Sequence, residues 1–495
     1  MKRSAISLAV ALSIALPLGT VGVAEAGTGA TAAVEGRLPA RKFPLGVPAL
    51  PKYKQKSVHS GIDLFTVRHG RSTDGYTVTV LINGKESGNA EKAAEVAAAV
   101  EAAGLTPSVQ RYRRPDVADY PGAEAYMVRV GLWPLKKKKA AEKVVKQLRE
   151  AGIAARVDYL GDDGFKTTGP WNIRILMVDP RRFRGSYQAT LGRYTGKRET
   201  TSAMAKQAGA IAAVNGGFFS IHAPKAFSGD PTGISVVGGR LLSEAVRGRT
   251  ALVLNGRRAR ITELDSSVTV RAPDGSTAKV TGVNRVAGPN ELVLYTHDLG
   301  TKTPRDHGVE AVIDDRGRIV RVRTAGAAVP RGMQVLHGTG QMAEWLEAVA
   351  QEGQVMRIVT QVVDLRTGRR IPLTPTTHIL GGGINILRNG RQYITAAADG
   401  MASDNMILRR HPRTLAGVTK SGALILATID GRDPGVTVGA NLLEAAQLMR
   451  WLGAKNAINL DGGGSTTMVV NNKVVNSPSD GAERPVGDAL LIVPR

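Results

Sequence analysis

The chain contains no cysteine, which excludes disulfides, thiolate metal sites and a cysteine nucleophile. Aromatic residues make up only 4% of it, leaving few platforms on which nucleic-acid bases could stack. Its eight histidines are scattered, so a cage of imidazoles around a metal is not expected. No G-x-S-x-G elbow, H-E-x-x-H zinc motif or Walker phosphate loop occurs. Long apolar runs are missing too. Ala5 to Leu16 is too short to cross a bilayer, which takes about 20 apolar residues. A mature chain with no transmembrane segment is expected.

That short run is informative for another reason. Lys2 and Arg3 precede it, Pro17 and Gly19 break it, and Ala24-Glu25-Ala26 follows. This is the layout of a secretory signal peptide over 1–26, with cleavage after Ala26. The expected location is outside the cell, on the wall or envelope. The formal net charge is +24, and loss of Lys2, Arg3 and Glu25 with the leader leaves +23. Such a surface concentrates polyanions, which outside a cell are anionic wall polymers, phosphosugars or acidic lipids. Nucleic acid is not expected, because no motif supports it.

Length and a hydrophobic content of 42% over 495 residues predict two or three domains. Residues 27–72, with Pro39, Pro44, Pro48 and Pro51, read as a linker with one strand near Ile62 to Val67. An internal repeat follows. A shift of 48 lays Val80 on Val128, Ile82 on Val130, Val100 on Leu148 and Gly104 on Gly152. Each half reads strand, helix, strand, and the two predict one four-stranded sheet with two helices on one face. Tyr126-Met-Val-Arg-Val-Gly131, the Ala/Lys-rich helix after it and the start at Gly152 resemble the SPOR domain, a peptidoglycan-binding module of ferredoxin-like fold. The resemblance covers 73–161 and implies association with peptidoglycan. Lys136 to Lys139 and the long connection Pro115 to Gly122 depart from the usual form.

From Gly169 to the end, short β-rich segments alternate with Asn-Gly and Asp-Gly turns. Residues 169–495 are therefore expected to form a larger strand-rich, mixed-sheet α+β domain, so that the whole chain is α+β. Three turns carry polar side chains beside glycines. Asn215, Gly216 and Gly217 end one apolar run, and Gly381 to Gly383 form another turn. In the third, Asn459 and Asp461 share a strand face and run into Gly462, Gly463 and Gly464, then Ser465 and Thr466. Backbone N–H groups in such a turn suit an anion.

The blocks Asn215-Gly-Gly-Phe-Phe219, Gly282-Val-Asn-Arg285, Arg413 to Thr419, Asn459-Leu-Asp-Gly-Gly-Gly-Ser465 and Ser479-Asp-Gly-Ala-Glu-Arg-Pro485 occur in the order found in the phosphodiester glycosidase family. The resemblance implies hydrolysis of an anomeric sugar–phosphate bond, with a sugar-phosphate glycan as substrate. A phosphate leaves as a stabilised anion. The reaction therefore needs groups that hold phosphate and a carboxylate beside the reacting carbon or its attacking water. Asp461 is the first candidate for the carboxylate and Glu483 the second. Arg413 and Arg484 suit the phosphate, since a guanidinium binds it bidentately. Asn215, Gly216, Asn459, Gly463, Ser465 and Thr466 are the further candidates for contacts to phosphate or sugar. Asp430 reads as a hairpin turn residue and Thr419 as structural. Clustered carboxylates and Asn side chains could also hold Ca²⁺, although no loop has EF-hand spacing and no metal ligand is assigned. The alternative reading is a non-catalytic glycan-binding or exopolysaccharide-assembly protein. A secreted nuclease is the weaker third.

Overall fold

A computed structural model describes residues 36–495. The predicted leader, 1–26, lies outside the described residues. Among the described residues, no helix is long and apolar enough to cross a membrane.

One of two eight-stranded sheets forms the centre of the site-bearing half. Its strand order is Lys52–His59, Ile62–His69, Trp171–Val178, Leu424–Ile429, Arg413–Thr419, Ala454–Asn459, Ile384–Arg388 and Arg391–Gln392. Its first two strands come from the segment expected to be a linker. The strand Ile62–His69 pairs antiparallel with Trp171–Val178 from Ile62↔Val178 to His69↔Trp171. The cause is apolar: Ile62, Leu64, Phe65 and Val67 are all buried. The strand near Ile62 to Val67 was expected, whereas Lys52–His59 and the place of both in the main sheet were not. Lys52–His59 is mostly exposed, and its lysines suit the edge position it occupies.

A five-stranded sheet, ordered Lys473–Val474, Met468–Val470, Ala212–Asn215, Ala489–Pro494 and Gly185–Thr190, shares a core with the first. Leu176, Val214, Leu426, Ile458, Leu460, Met468 and Leu490 form the apolar layer common to both. The second eight-stranded sheet runs through Arg258–Arg271, and another five-stranded sheet packs with the helix Gln341–Val349. The chain is thus strand-rich and mixed.

Residues 76–159 form a separate four-stranded antiparallel sheet, in the order Pro107–Arg113, Glu124–Trp133, Tyr76–Val80 and Ala155–Tyr159. The helices Ala90–Ala102 and Lys138–Glu150 bury Ala93, Ala97, Val100, Ala141, Val145 and Leu148 in a cluster that includes Val78, Val80, Val128 and Val130. Gly104 and Gly152 end the helices at φ 76° and 75°, a left-handed conformation that glycine takes without penalty.

The opposite face of this sheet is polar, and it docks on the C-terminal domain. Asp158, 3% exposed, pairs with Arg409 at 2.7 Å. The connection Pro115 to Gly122 reaches across as well. The Asp119 carboxylate accepts from the N–H groups of Ala397 and Ala398 at 3.1 and 2.8 Å, and Ala118 N–H donates to Ile394. These contacts build the module into the molecule.

Candidate active site

The strands Ala212–Asn215 and Ala454–Asn459, one from each of the two stacked sheets, end side by side, and the Gly-rich turns follow them. Asn215 ties the two together. Its Nδ2 donates to the Asp461 carbonyl at 2.8 Å, while its Oδ1 accepts from Thr414 Oγ1 at 2.6 Å and Thr467 N–H at 3.1 Å. The amide is therefore engaged within the protein, and Asn215 positions the turn rather than facing a ligand. Gly216 lies between two aspartates: Asp461 N–H donates to its carbonyl and its own N–H donates to the Asp488 carbonyl, each at 3.0 Å. A Cβ on Gly216 would collide with the Asp488 carboxylate.

After Asp461 the chain turns through Gly462 to Gly464. The N–H groups of Gly463, Ser465 and Thr466 donate to the carbonyls of Pro412, Gly462 and Gly463. The turn thus satisfies itself, and less of its backbone is open to an anion than the sequence suggested. What the glycines permit is close approach. A Cβ on Gly463, whose φ is +60°, would stand 3.1 Å from two nitrogens of Arg432, and one on Gly464 would collide with Arg484 and Asp480. Two guanidinium groups therefore pack directly on the turn that bears Asp461. Arg484 is paired with Asp480 at 2.6 Å and is 38% exposed, so it can exchange that partner for a ligand.

Arg432 is the cation that sequence reasoning passed over. Its Nη2 meets His411 Nδ1 at 3.2 Å, and His411 Nε2 meets the Asn405 carbonyl at 3.1 Å. A neutral ring protonated on Nε2 satisfies both contacts. Burial and the guanidiniums of Arg413 and Arg432 push the His411 pKa down to about 3. The signal in sequence was Arg432's place directly after Asp430-Gly431.

The other candidates fall elsewhere. Arg413 is 2% exposed, and its guanidinium donates to the carbonyls of Ala440 at 2.9 Å and Met406 at 2.8 Å. It braces the chain around Met406 and Ala440 and offers no free fork to phosphate. Glu483 accepts from Ser202 N–H at 2.7 Å and Ser202 Oγ at 2.6 Å, which places it at the N-terminus of the helix Thr201–Gln207. Its carboxylate serves the helix end. Asp430 is no exposed hairpin residue. It is 1% exposed and accepts from Asn476 Nδ2 at 3.2 Å and Ser477 N–H at 3.1 Å. The Gly282 to Arg285 block is also structural, with Arg285 bonded to Glu244 and Glu291, both at 2.7 Å.

Burial pushes the Asp461 pKa up to about 6, against the Ser465 hydroxyl, the Gly462 N–H and the charges of Arg484 and Arg432. Asp488 was missed altogether. It is 2% exposed, and neither carboxylate oxygen has a hydrogen-bond partner in ordinary geometry. Burial raises its pKa to about 7, with the Gly217 N–H opposing and the Asp461 charge adding. Nothing in its setting, Gly487-Asp488-Ala489 at a strand entrance, marked it in sequence. Around the same turn, Asn459 Oδ1, Thr466 Oγ1 and Thr467 Oγ1 are buried without partners. Buried polar atoms are nearly always bonded in native proteins, so these atoms have bonding capacity left for a polar partner. Among the described residues, no group of three or more His, Asp or Glu side chains is placed to hold a metal.

Residues 307–493 match the phosphodiester glycosidase family. The matched segment carries Arg413, Arg432, Asp461, Arg484 and Asp488, while Asn215 and Gly216 lie before it. A stretch of 117 residues is 34% identical to mouse N-acetylglucosamine-1-phosphodiester alpha-N-acetylglucosaminidase, and 83 residues are 40% identical to the SPbeta prophage-derived protein YomE of Bacillus subtilis. These stretches cover 22% and 17% of the chain, and only 22% and 13% of the two relatives. The crystal structure of a candidate exported protein of Burkholderia pseudomallei is similar over 92% of this chain and 99% of its own, with TM-score 0.79 and 26% identity. A Synechocystis protein shares the fold at TM-score 0.54 and 15% identity, over 93% of this chain and 81% of its own.

Proposed function

We propose that the protein is an exported hydrolase that cleaves the anomeric sugar–phosphate bond of a phosphodiester, with Asp461 as its reacting carboxylate. The observation that carries this reading is the packing of Arg432 and Arg484 on the glycine turn that bears Asp461. The family match over 307–493 supports it.

Arg432 and Arg484 hold the non-bridging phosphate oxygens and place the anomeric carbon near Asp461. A water attacks that carbon. Asp461 accepts the water's proton, and the C–O bond breaks with its electron pair going to the phosphate oxygen. The phosphate leaves as an anion neutralised by the two guanidiniums, so no strong acid is needed on the leaving side. Asp488 supports Asp461 from behind Gly216. Two neighbouring carboxyls with raised pKa values share their ionisation, which keeps one proton in the site near neutral pH.

The predicted leader and the exported relative support action outside the cell, on envelope or extracellular glycans. The SPOR-like sequence of 73–161 and the basic surface support association with peptidoglycan or anionic wall polymers. The test is hydrolysis of a synthetic methyl diester of a sugar 1-phosphate, with the free sugar measured. If the folded protein binds this compound and leaves it intact, it is a glycan-binding protein and the enzymatic reading fails.

A further inference from the structure

A cavity of about 540 Å³ lies where the polar face of the N-terminal sheet meets residues 402–409, which include the short helix Asp404–Ile407. Tyr112, Tyr120 and Phe165 are half-buried along it, with Met127, Ser87 and Gly84 also on its walls. Its size is that of a small-molecule site. Its charges are matched in advance. Arg114 pairs with Asp404 at 2.5 Å, Arg156 with Glu86 at 2.7 Å, and Arg409 with Glu86 at 3.0 Å and Asp158 at 2.7 Å. A polyanion would find few unpaired cations there, and an apolar ligand would find too many polar edges. Flat rings bordered by fixed donors and acceptors suit a pyranose, which presents C–H faces and hydroxyl edges.

The cavity also leads somewhere. Arg156, Asn405 and Arg409 line it, and the same three residues line an adjoining recess of about 410 Å³ that includes His411 and Arg432. Arg432 is the residue packed on Gly463. A continuous wall of side chains therefore joins the interface to the turn that bears Asp461. The Asp119 contacts with Ala397 and Ala398 hold the two sides of the cavity together.

We propose that this interface cavity binds an uncharged stretch of hexose units belonging to the same substrate whose phosphodiester is cut at Asp461, so that the N-terminal module completes the substrate site. The proposal rests on the hydrolase reading for its substrate, though binding in the cavity can be measured without turnover.

The experiment uses the full chain with neutral tetrasaccharides of glucose and of N-acetylglucosamine as probes, followed by calorimetry and saturation-transfer NMR. One of them binds the wild type and Asp461→Asn equally. Ser87→Trp fills the cavity and Tyr120→Ala removes one ring, and each weakens binding at least tenfold while leaving the melting curve cooperative. On a diester that carries a tetrasaccharide, Ser87→Trp raises KM about tenfold with kcat within twofold, and a monosaccharide diester is unaffected. If neither tetrasaccharide binds, if both variants bind as the wild type does, or if an acidic peptide occupies the cavity instead, the proposal is overturned. Tetrasaccharide binding lost in both variants, together with unimpaired turnover by Asp461→Asn, would uphold the cavity and remove the catalytic assignment.

Discussion

Asp461 and Asp488 are fixed on either side of Gly216, each through a 3.0 Å main-chain hydrogen bond to that one residue. Both carboxyls resist ionisation, one up to about 6 and the other up to about 7. If Asp461 accepts a proton in the reaction, kcat/KM falls as pH drops below about 6, tenfold per unit. In Asp488→Asn that acid limb persists, while any second inflection near pH 7 disappears. A pH–rate profile of both proteins between pH 4 and 9 checks this.

Stability gives the same pair a second test. A carboxyl whose folded pKa lies above its unfolded value stabilises the fold at low pH and loses that contribution as pH rises through the folded pKa. For Asp488 the window runs from its ordinary 3.8 to about 7. Asp488→Asn removes the loss, so the variant is more stable than the wild type at pH 8 and gains little at pH 4. Chemical denaturation at the two pH values measures it.

The three arginines separate by role. Arg432→Lys and Arg484→Lys lower kcat/KM on a phosphodiester by about 10- to 100-fold, since an ammonium cannot form the bidentate contact. The loss shrinks on an aryl glycoside without phosphate. Arg413→Lys acts through folding, because its donors hold the Ala440 and Met406 carbonyls. Its melting temperature drops while KM of the remaining folded enzyme changes little.

Glu483→Gln should cost the helix Thr201–Gln207 about 0.5 to 1 kcal/mol and leave turnover within a factor of about three, as expected of a surface cap. A loss of turnover with normal stability would return Glu483 to the catalytic candidates.

These roles show how far sequence reaches. The repeat was legible because paired positions such as Val80 and Val128 are both buried, and the Asn459 to Ser465 block stood out because three successive glycines follow an apolar strand and are flanked by Asn459, Asp461 and Ser465. What sequence could not show is which polar groups are already engaged. Arg413 and Glu483 look available until the Ala440 carbonyl and the Ser202 N–H are placed beside them. Asp488 and Arg432 look ordinary until Gly216 and Gly463 bring them to Asp461. The strand near Ile62 to Val67 was legible, but its place inside the main sheet was not, because its partner, Trp171–Val178, lies on the far side of the four-stranded module in sequence.

Turnover of Asp461→Asn on a methyl diester of a sugar 1-phosphate tests the proposed role of Asp461 most directly. The amide keeps the side chain's size, so the melting temperature should stay at or above the wild-type value at pH 8. Turnover should fall by about 10³ or more, as expected when a preorganised charge is removed from a transition state. Near-normal turnover in that folded variant would contradict the account.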